Sequence, residues 1–410
     1  MNVARGMLEA PFRLAGTVQH YEWGDQRLLP DFLGQQPDGR PWAEWWVGAH
    51  PQAPSPVLTA PGTRLDQLIR RDPLAVLGGP VCDQFGARLP FLLKVLAVAR
   101  PLSLQVHPTD EQASAGFHFE RQGLESAPAE PLYADEWAKP EMLLAVTQFE
   151  AFAGLVTPEQ AWDRLAPCAG PTLSALMARH LDEPTPSGLA RLVNDLLRLD
   201  EDVVRLAVAE LSDGMRAQLA TEPDETGRRT TIARLAAEFP ADPAVAVVAL
   251  MRHVVLAPGD ALAVPAGLLH CYTRGLAVEI QGTSNNTLRA GLTTKRVDVE
   301  EVLRIVDPNA SPRHVTPTQP NVGLRRYVPG LPAFALDAVD LVPSTRVPVP
   351  PGLPAVVVTM RGTVDLDAGG TSTQLRRGEA AFVPASVCAS VLLSGEGQAV
   401  VGYPGLAPLG

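Results

Sequence analysis

The stretch LSLQVHPTDEQ, residues 102–112, alternates apolar and polar side chains and then halts at a proline. With the period of two of an extended chain, Leu102, Leu104 and Val106 share one face while Ser103, Gln105 and His107 share the other. The first face is built for a core. The second carries an amide and an imidazole two residues apart, so it is either the solvated side of an edge strand or part of a site.

Composition narrows the choice. A chain of 410 residues, 46% of them hydrophobic, is expected to be globular with two or three domains. Its first twenty residues do not read as a cleaved secretory leader, and no window reaches the roughly 18 uninterrupted apolar residues of a membrane span. A cytoplasmic protein without a membrane partner is expected. Cys82, Cys168, Cys271 and Cys388 are far apart and form no C-x-x-C pair, which argues against a disulfide framework or a thiolate zinc site and for small buried hydrophobes. The net charge of −11 disfavours nucleic acid as a partner but leaves room for a small anion held by a local cluster of bases. Only three lysines, Lys94, Lys139 and Lys295, stand against 31 arginines. A lysine kept in so arginine-rich a chain suggests a place where a guanidinium will not serve.

Up to about Gly154, short apolar segments broken by Gly and Pro suggest antiparallel strands with some helix, as around RLDQLIRRDPLAVL. From about Thr157 to Met251 the periodicity changes. Leu189, Leu192, Leu196 and Leu199 recur at helical spacing, and RRTTIARLAAEF and DPAVAVVALM follow the same period, which predicts a helical insertion. Strand signals return at HVVLAPGDALAVPAGLLHCYTRGLAVEIQG and fill the last hundred residues. A weak internal repeat aligns PGDALAVPAGLLH from Pro258 with RGEAAFVPASVCA from Arg377 at an offset of 119 residues. Two related β-barrels would explain it, the first copy ending in His270 where the second has Ala389.

A metal site can be sketched from these elements. Gln105 and His107 come from the first segment, His270 from the repeat, and WAKPEMLLAV offers Glu141 directly after Lys139 and Pro140, the proline setting the start of an apolar strand. Two imidazoles, a carboxylate and an amide oxygen suit zinc with a position left for water or a substrate oxygen. Spacing alone does not single out this quartet, because His20, His50, His118 and His253 are equally available.

Taken together, QVHP, KPEM followed by FEAFAGL, WAEWWVGAHPQAPS, LPFLLKVL and VEI with RAGLTTK resemble the type I mannose-6-phosphate isomerases, also called phosphomannose isomerases. The similarity runs in order from YEWGD at Tyr21 to about Asp307, weak through the helical insertion and faint in the last hundred residues. It implies a mainly β fold of two cupin-like jelly-roll barrels plus an α-helical domain. The catalytic barrel would be discontinuous over 1–154 and 252–310, the helical insertion would span 155–251, and a C-terminal barrel without metal ligands would span 311–410. It further implies one Zn2+ per chain on Gln105, His107, Glu141 and His270. Arg289 matches the family's active-site arginine, and Lys94, Lys139 and Lys295 all fall in matching motifs, as do Ser103, Tyr272 and Glu279 at the pocket. One departure stands out. The family commonly has Ser-Asp-Asn where this chain has SNN, so Asn285 occupies the aspartate position, and an amide cannot act as a base at neutral pH.

The activity implied is interconversion of mannose 6-phosphate and fructose 6-phosphate through a cis-enediol, with a small phosphosugar as ligand and a monomer expected. Such chemistry needs a base for a weakly acidic C–H, stabilisation of a developing oxyanion, and cations for the phosphate. Arg289 suits the oxyanion or the phosphate, while Lys139 and Glu279 compete for the proton transfer. Lys94, Ser103, Tyr272, Lys295 and Asn285 are the expected substrate contacts. Two other functions compete: a different cupin metalloenzyme, such as an oxygenase or a sugar-phosphate epimerase, and a noncatalytic sugar-binding cupin.

Overall fold

The computed structural model describes residues 8–122 and 131–406, so the outer ends of the expected spans, 1–7 and 407–410, lie outside the described residues. Among the described residues the strands form two antiparallel sheets, one of eleven strands and one of nine, with helices concentrated between Pro158 and Ala249. The molecule is mainly β with helices, as expected.

Alternation along four strands of the larger sheet shows how it is packed. Trp45 and Val47, Phe91, Leu93 and Val95, Met142 and Leu144, and Val278 and Ile280 join one core with the C-terminal sheet, including Phe382 and Val400. Their neighbours Glu44, Trp46, Lys94 and Glu141 therefore turn the other way, into the interior of the larger sheet. At the opposite wall, Leu104 and Val106 pack against the helical region, in a core shared with Leu192, Val208 and Ile232. Burying each such aliphatic side chain stabilises the fold by about 1.5–3 kcal/mol relative to leaving it in water.

The strand Leu104–Val106 is not an edge. It pairs with His270 on one side and with Leu288–Gly291 on the other, so the polar face of the opening segment cannot be solvated by an open margin. Pro108 ends this strand, and Thr109 starts the helix Asp110–Arg121. The Thr109 hydroxyl accepts from the Gln112 N–H while the Gln112 side chain accepts from the Thr109 N–H.

Some expectations change. The helix expected in RLDQLIRRDPLAVL is two, Leu65–Arg71 and Pro73–Leu77, because Pro73 cannot donate back into the first and the Asp72 carboxylate caps the second through Ala75 N–H. Leu189, Leu192 and Leu196 line the buried face of the helix Pro186–Leu197, but Leu199 lies beyond its end. All four cysteines are free, and three are buried, yet Cys82 is only half-buried.

The expected span boundaries do not coincide with the sheets. Phe12–Leu14 pairs with Ala380–Val383 in the C-terminal sheet, and Arg313–His314 pairs with the strand Ala261–Val264 of the larger one. Each sheet thus borrows a strand from the other's stretch of chain, and each borrowed strand covers what would otherwise be an exposed edge.

The internal repeat has a structural counterpart. Ala261–Val264 and Ala380–Val383 hold corresponding positions, each after a turn in which a carboxylate accepts from the N–H three residues earlier: Asp260 from Ala257 and Glu379 from Arg376. Strands of thirteen residues follow in both, His270–Gly282 and Val391–Tyr403. Where the first begins with His270, the second copy has Ala389 exposed on a 3-10 turn.

Candidate metal and sugar-phosphate site

The two sequence-distant histidines meet. His107, at the end of Leu104–Val106, and His270, at the start of the thirteen-residue strand, lie with ring centroids 4.9 Å apart, both buried. Backbone carbonyls hold each ring from behind: His107 Nδ1 donates to Asn286 O at 2.7 Å and His270 Nδ1 to Leu268 O at 2.9 Å. Both Nε2 atoms are therefore the unprotonated ones, and both turn toward Glu141. The carboxylate lies 3.1 Å from His107 Nε2 and 3.6 Å from His270 Nε2. Burial first, then the charge of Lys139, pushes His107 down to about 3, and burial likewise depresses His270. Burial alone would raise Glu141, but Lys139 and His107 outweigh it and hold its carboxyl well below the ordinary range.

These features fit a divalent metal. His107 Nε2 is buried without a hydrogen bond, a costly state for a polar atom unless something else occupies its lone pair. Ligand atoms of His107, Glu141 and His270 all lie within 4.8 Å of one another. The Gln105 amide closes the fourth side, its Nε2 at 3.2 Å from His270 Nε2 and its Oε1 accepting from Ser103 Oγ at 2.9 Å. A half-turn of that amide presents oxygen in place of nitrogen and lets Ser103 accept instead of donate.

Glu141 carries two further contacts. Lys139 Nζ stands 2.9 Å from Oε1, and the Tyr272 hydroxyl donates to Oε2 at 3.0 Å. Deeper in, Lys94 Nζ lies 3.1 Å from Glu279 and 3.5 Å from Glu44, over the ring of Trp46, whose indole N–H also donates to Glu44. Burial alone would lower the Lys94 ammonium, but these carboxylates raise it. Burial, reinforced by the charge of Glu141, raises the Glu279 carboxyl.

A cavity of about 330 Å³ opens beside this centre. Ser103, Gln105, Asn285, Arg289 and all three lysines line it, whereas Tyr272 and Glu279 contribute from behind. Arg289 sits on Leu288–Gly291, and Lys295 lies over the ring of Tyr21 at 4.4 Å. Arg100 and Glu238 pair across the mouth, with Arg100 Nε 2.6 Å from the carboxylate. Asn285 donates to Gln52 Oε1 at 2.9 Å, and its neighbour Asn286 binds backbone groups of Ala134, Asp135 and Trp137. Four residues of evident importance escaped the sequence reading: Glu44, Trp46, Asn286 and Asp242. Glu44 and Trp46 lie in WAEWW, a motif that carried the resemblance, and Asn286 in SNN, where the chain departs from the family, but only contacts reveal what they do.

Similarity to characterised proteins agrees with this geometry. A family profile described as phosphomannose isomerase type I, catalytic domain, matches residues 11–156. The mannose-6-phosphate isomerase of Escherichia coli (strain K12) is 34% identical over 394 residues, covering 94% of this chain and 97% of that protein. The crystal structure of the apo form of mannose 6-phosphate isomerase from Salmonella typhimurium superposes with a TM-score of 0.86 at 29% identity, covering 97% of this chain and 100% of that one. A structure of mannose 6-phosphate isomerase bound with zinc and yttrium matches with the same score, identity and coverage.

Proposed function

We infer from this chain, which belongs to the type I mannose-6-phosphate isomerase family, how its own residues perform the aldose–ketose isomerisation of mannose 6-phosphate and fructose 6-phosphate. The observation that carries the reading is the convergence of two histidine Nε2 atoms, their tautomers set by backbone carbonyls, on one carboxylate beside a cavity lined by every lysine of the chain. A noncatalytic sugar binder has no need of that arrangement.

Gln105, His107, Glu141 and His270 would hold one zinc ion, which when bound supplies a Lewis acid for a sugar oxygen. Lys139 faces the cavity 2.9 Å from Glu141, which puts it in position to pass a proton between C1 and C2 of a cis-enediol. Glu279 is farther back and engaged by Lys94, so its part is to set the position and charge of Lys94. Arg289 and Lys295 flank one turn at the cavity wall and are the cations proposed for the phosphate, with Ser103 and Asn285 orienting the sugar. Lys94, expected as a substrate contact, lines the cavity with its ammonium already matched by two carboxylates. Tyr272 steadies Glu141.

The proposal extends to architecture. Each sheet, with its alternating interior face, is taken as a cupin-like jelly roll, the first carrying the site, the second metal-free, and 155–251 a helical domain packed on the first. A monomeric state and a cytoplasmic location complete it. The test is an assay of purified protein with mannose 6-phosphate, before and after chelation and after zinc is restored. Activity lost to the chelator and regained with about one zinc per chain is expected; full activity in metal-free protein would sink the metal-dependent scheme.

A further inference from the structure

Leu292 is the one non-glycine residue with a positive φ, 56°, among the described residues, and it stands between Arg289 and Lys295. A branched side chain does not rest in the left-handed region unless its surroundings hold it there. Two things do. The Leu292 side chain is 2% exposed, in the core shared with the helical region. Its N–H donates to Asp242 Oδ2 at 2.5 Å, while Asp242 Oδ1 accepts from Ala244 N–H at 2.9 Å. Asp242 thus reaches from the link between the helices Arg228–Glu238 and Ala244–Ala249 to the rim of the cavity without lining it.

The approach is close. A Cβ at Gly291 would lie 2.3 Å from Asp242 Oδ1 and 2.6 Å from the Ala244 Cβ, so only glycine lets the turn sit this near the carboxylate. Just before it, the pairing of Leu288–Gly291 with Leu104–Val106 is irregular between Arg289 and Gly291, and such a bulge re-aims the side chains around it. Arg289, the glycine, the strained leucine and Lys295 form one short unit anchored on Asp242 outside the cavity.

We propose that Asp242 is a positioning residue for the phosphosugar: its carboxylate holds Leu292 in the left-handed conformation and so sets the separation and direction of the cations of Arg289 and Lys295. The proposal rests on the reading of this cavity as the phosphosugar site. Asp242 then takes part in substrate recognition without itself lining the cavity.

The experiment uses the full chain as Asp242→Ala, Asp242→Asn, Leu292→Gly and the double variant Asp242→Ala/Leu292→Gly, with KM and kcat for mannose 6-phosphate, metal content, and amide exchange of residues 289–295. Asp242→Ala should raise KM about tenfold or more at unchanged metal content, Asp242→Asn less, since one oxygen still accepts from Leu292. Glycine takes the turn without help, so the penalty of Asp242→Ala should shrink to under about threefold in the Leu292→Gly background. A wild-type KM in Asp242→Ala, or an equal penalty in both backgrounds, overturns the proposal. If Asp242→Ala does not fold, Asp242→Asn alone and in the Leu292→Gly background carries the same comparison. Exchange across 289–295 must also quicken when Asp242 is replaced, and unchanged exchange overturns the proposal whether or not the enzyme turns over. A wild-type protein inactive on mannose 6-phosphate sinks the functional reading instead, with the exchange result still deciding what Asp242 does.

Discussion

His107 shows how much one side chain owes to its surroundings. Its Nδ1 is spent on Asn286 O and its Nε2 is left without a hydrogen bond, so the residue is costly to the fold and useful chiefly as a ligand. His107→Ala is expected to lose metal and activity together, with kcat/KM down at least about 100-fold; elemental analysis of the purified variant beside its kinetics is the check, and stoichiometric metal in it would remove His107 from the ligand set. Lys139 makes a separate case. Its ammonium is 2.9 Å from Glu141 and 3.4 Å from Thr287 Oγ1 in a space that suits a compact donor. Lys139→Arg should keep the metal and lose about 10²–10⁴-fold in kcat, because a guanidinium does not release its proton at any working pH. A wild-type rate in that variant would move the proton transfer to Glu279.

Among the elements, Glu150 on the strand Phe149–Leu155 is a polar tie between sheet and helical region. It accepts from Thr231 at 2.6 Å on the helix Arg228–Glu238, from His253 at 2.7 Å and from Thr273 at 2.9 Å. Burial would raise its carboxyl, but these three hydrogen bonds outweigh burial and lower it. A carboxyl whose folded pKa is depressed contributes stability that is present above its unfolded value, about 4.3, and is lost as pH falls through the folded one. Glu150→Gln is therefore expected to destabilise the protein by about 1–3 kcal/mol at neutral pH, with the gap to wild type closing below about pH 4. Urea melts of both proteins at pH 7 and at about pH 3 measure it, and a pH-independent gap would assign the loss to shape rather than charge.

At the scale of the whole molecule, the two sheets share one apolar core and exchange edge strands. A fragment ending at residue 310 would expose the face carrying Leu93, Met142, Val278 and Ile280 and lose the partner of Phe12–Leu14. Such a fragment is expected to aggregate, and Ile280→Ala in the full chain to cost about 2–5 kcal/mol in a single cooperative transition. A soluble fragment 1–310 with full activity, or calorimetry resolving two independent transitions, would show that the sheets fold separately.

The sequence by itself determined whatever depends on local period and residue type: the alternation of LSLQVHP, the change to helical spacing near residue 157, the repeat at an offset of 119, and the oddity of three lysines among 31 arginines. It also offered the proposed ligand quartet, though only because several motifs in order resemble a known family; His253, as available on paper as His270, is committed to Glu150 instead. Tertiary structure alone decided which faces meet. On the strand His270–Gly282, a period of two would place Glu279 opposite His270 and Tyr272, yet an irregularity between Tyr272 and Arg274 shifts the phase, so that Ala277 shares a core with Tyr272 while Leu276, Val278 and Ile280 face the other sheet. A bulge of one residue leaves no dependable mark in composition, because its cause is pairing with strands far away in the chain. The hold of Asp242 on Leu292 is of the same kind: fifty positions separate them, and neither residue type announces the contact.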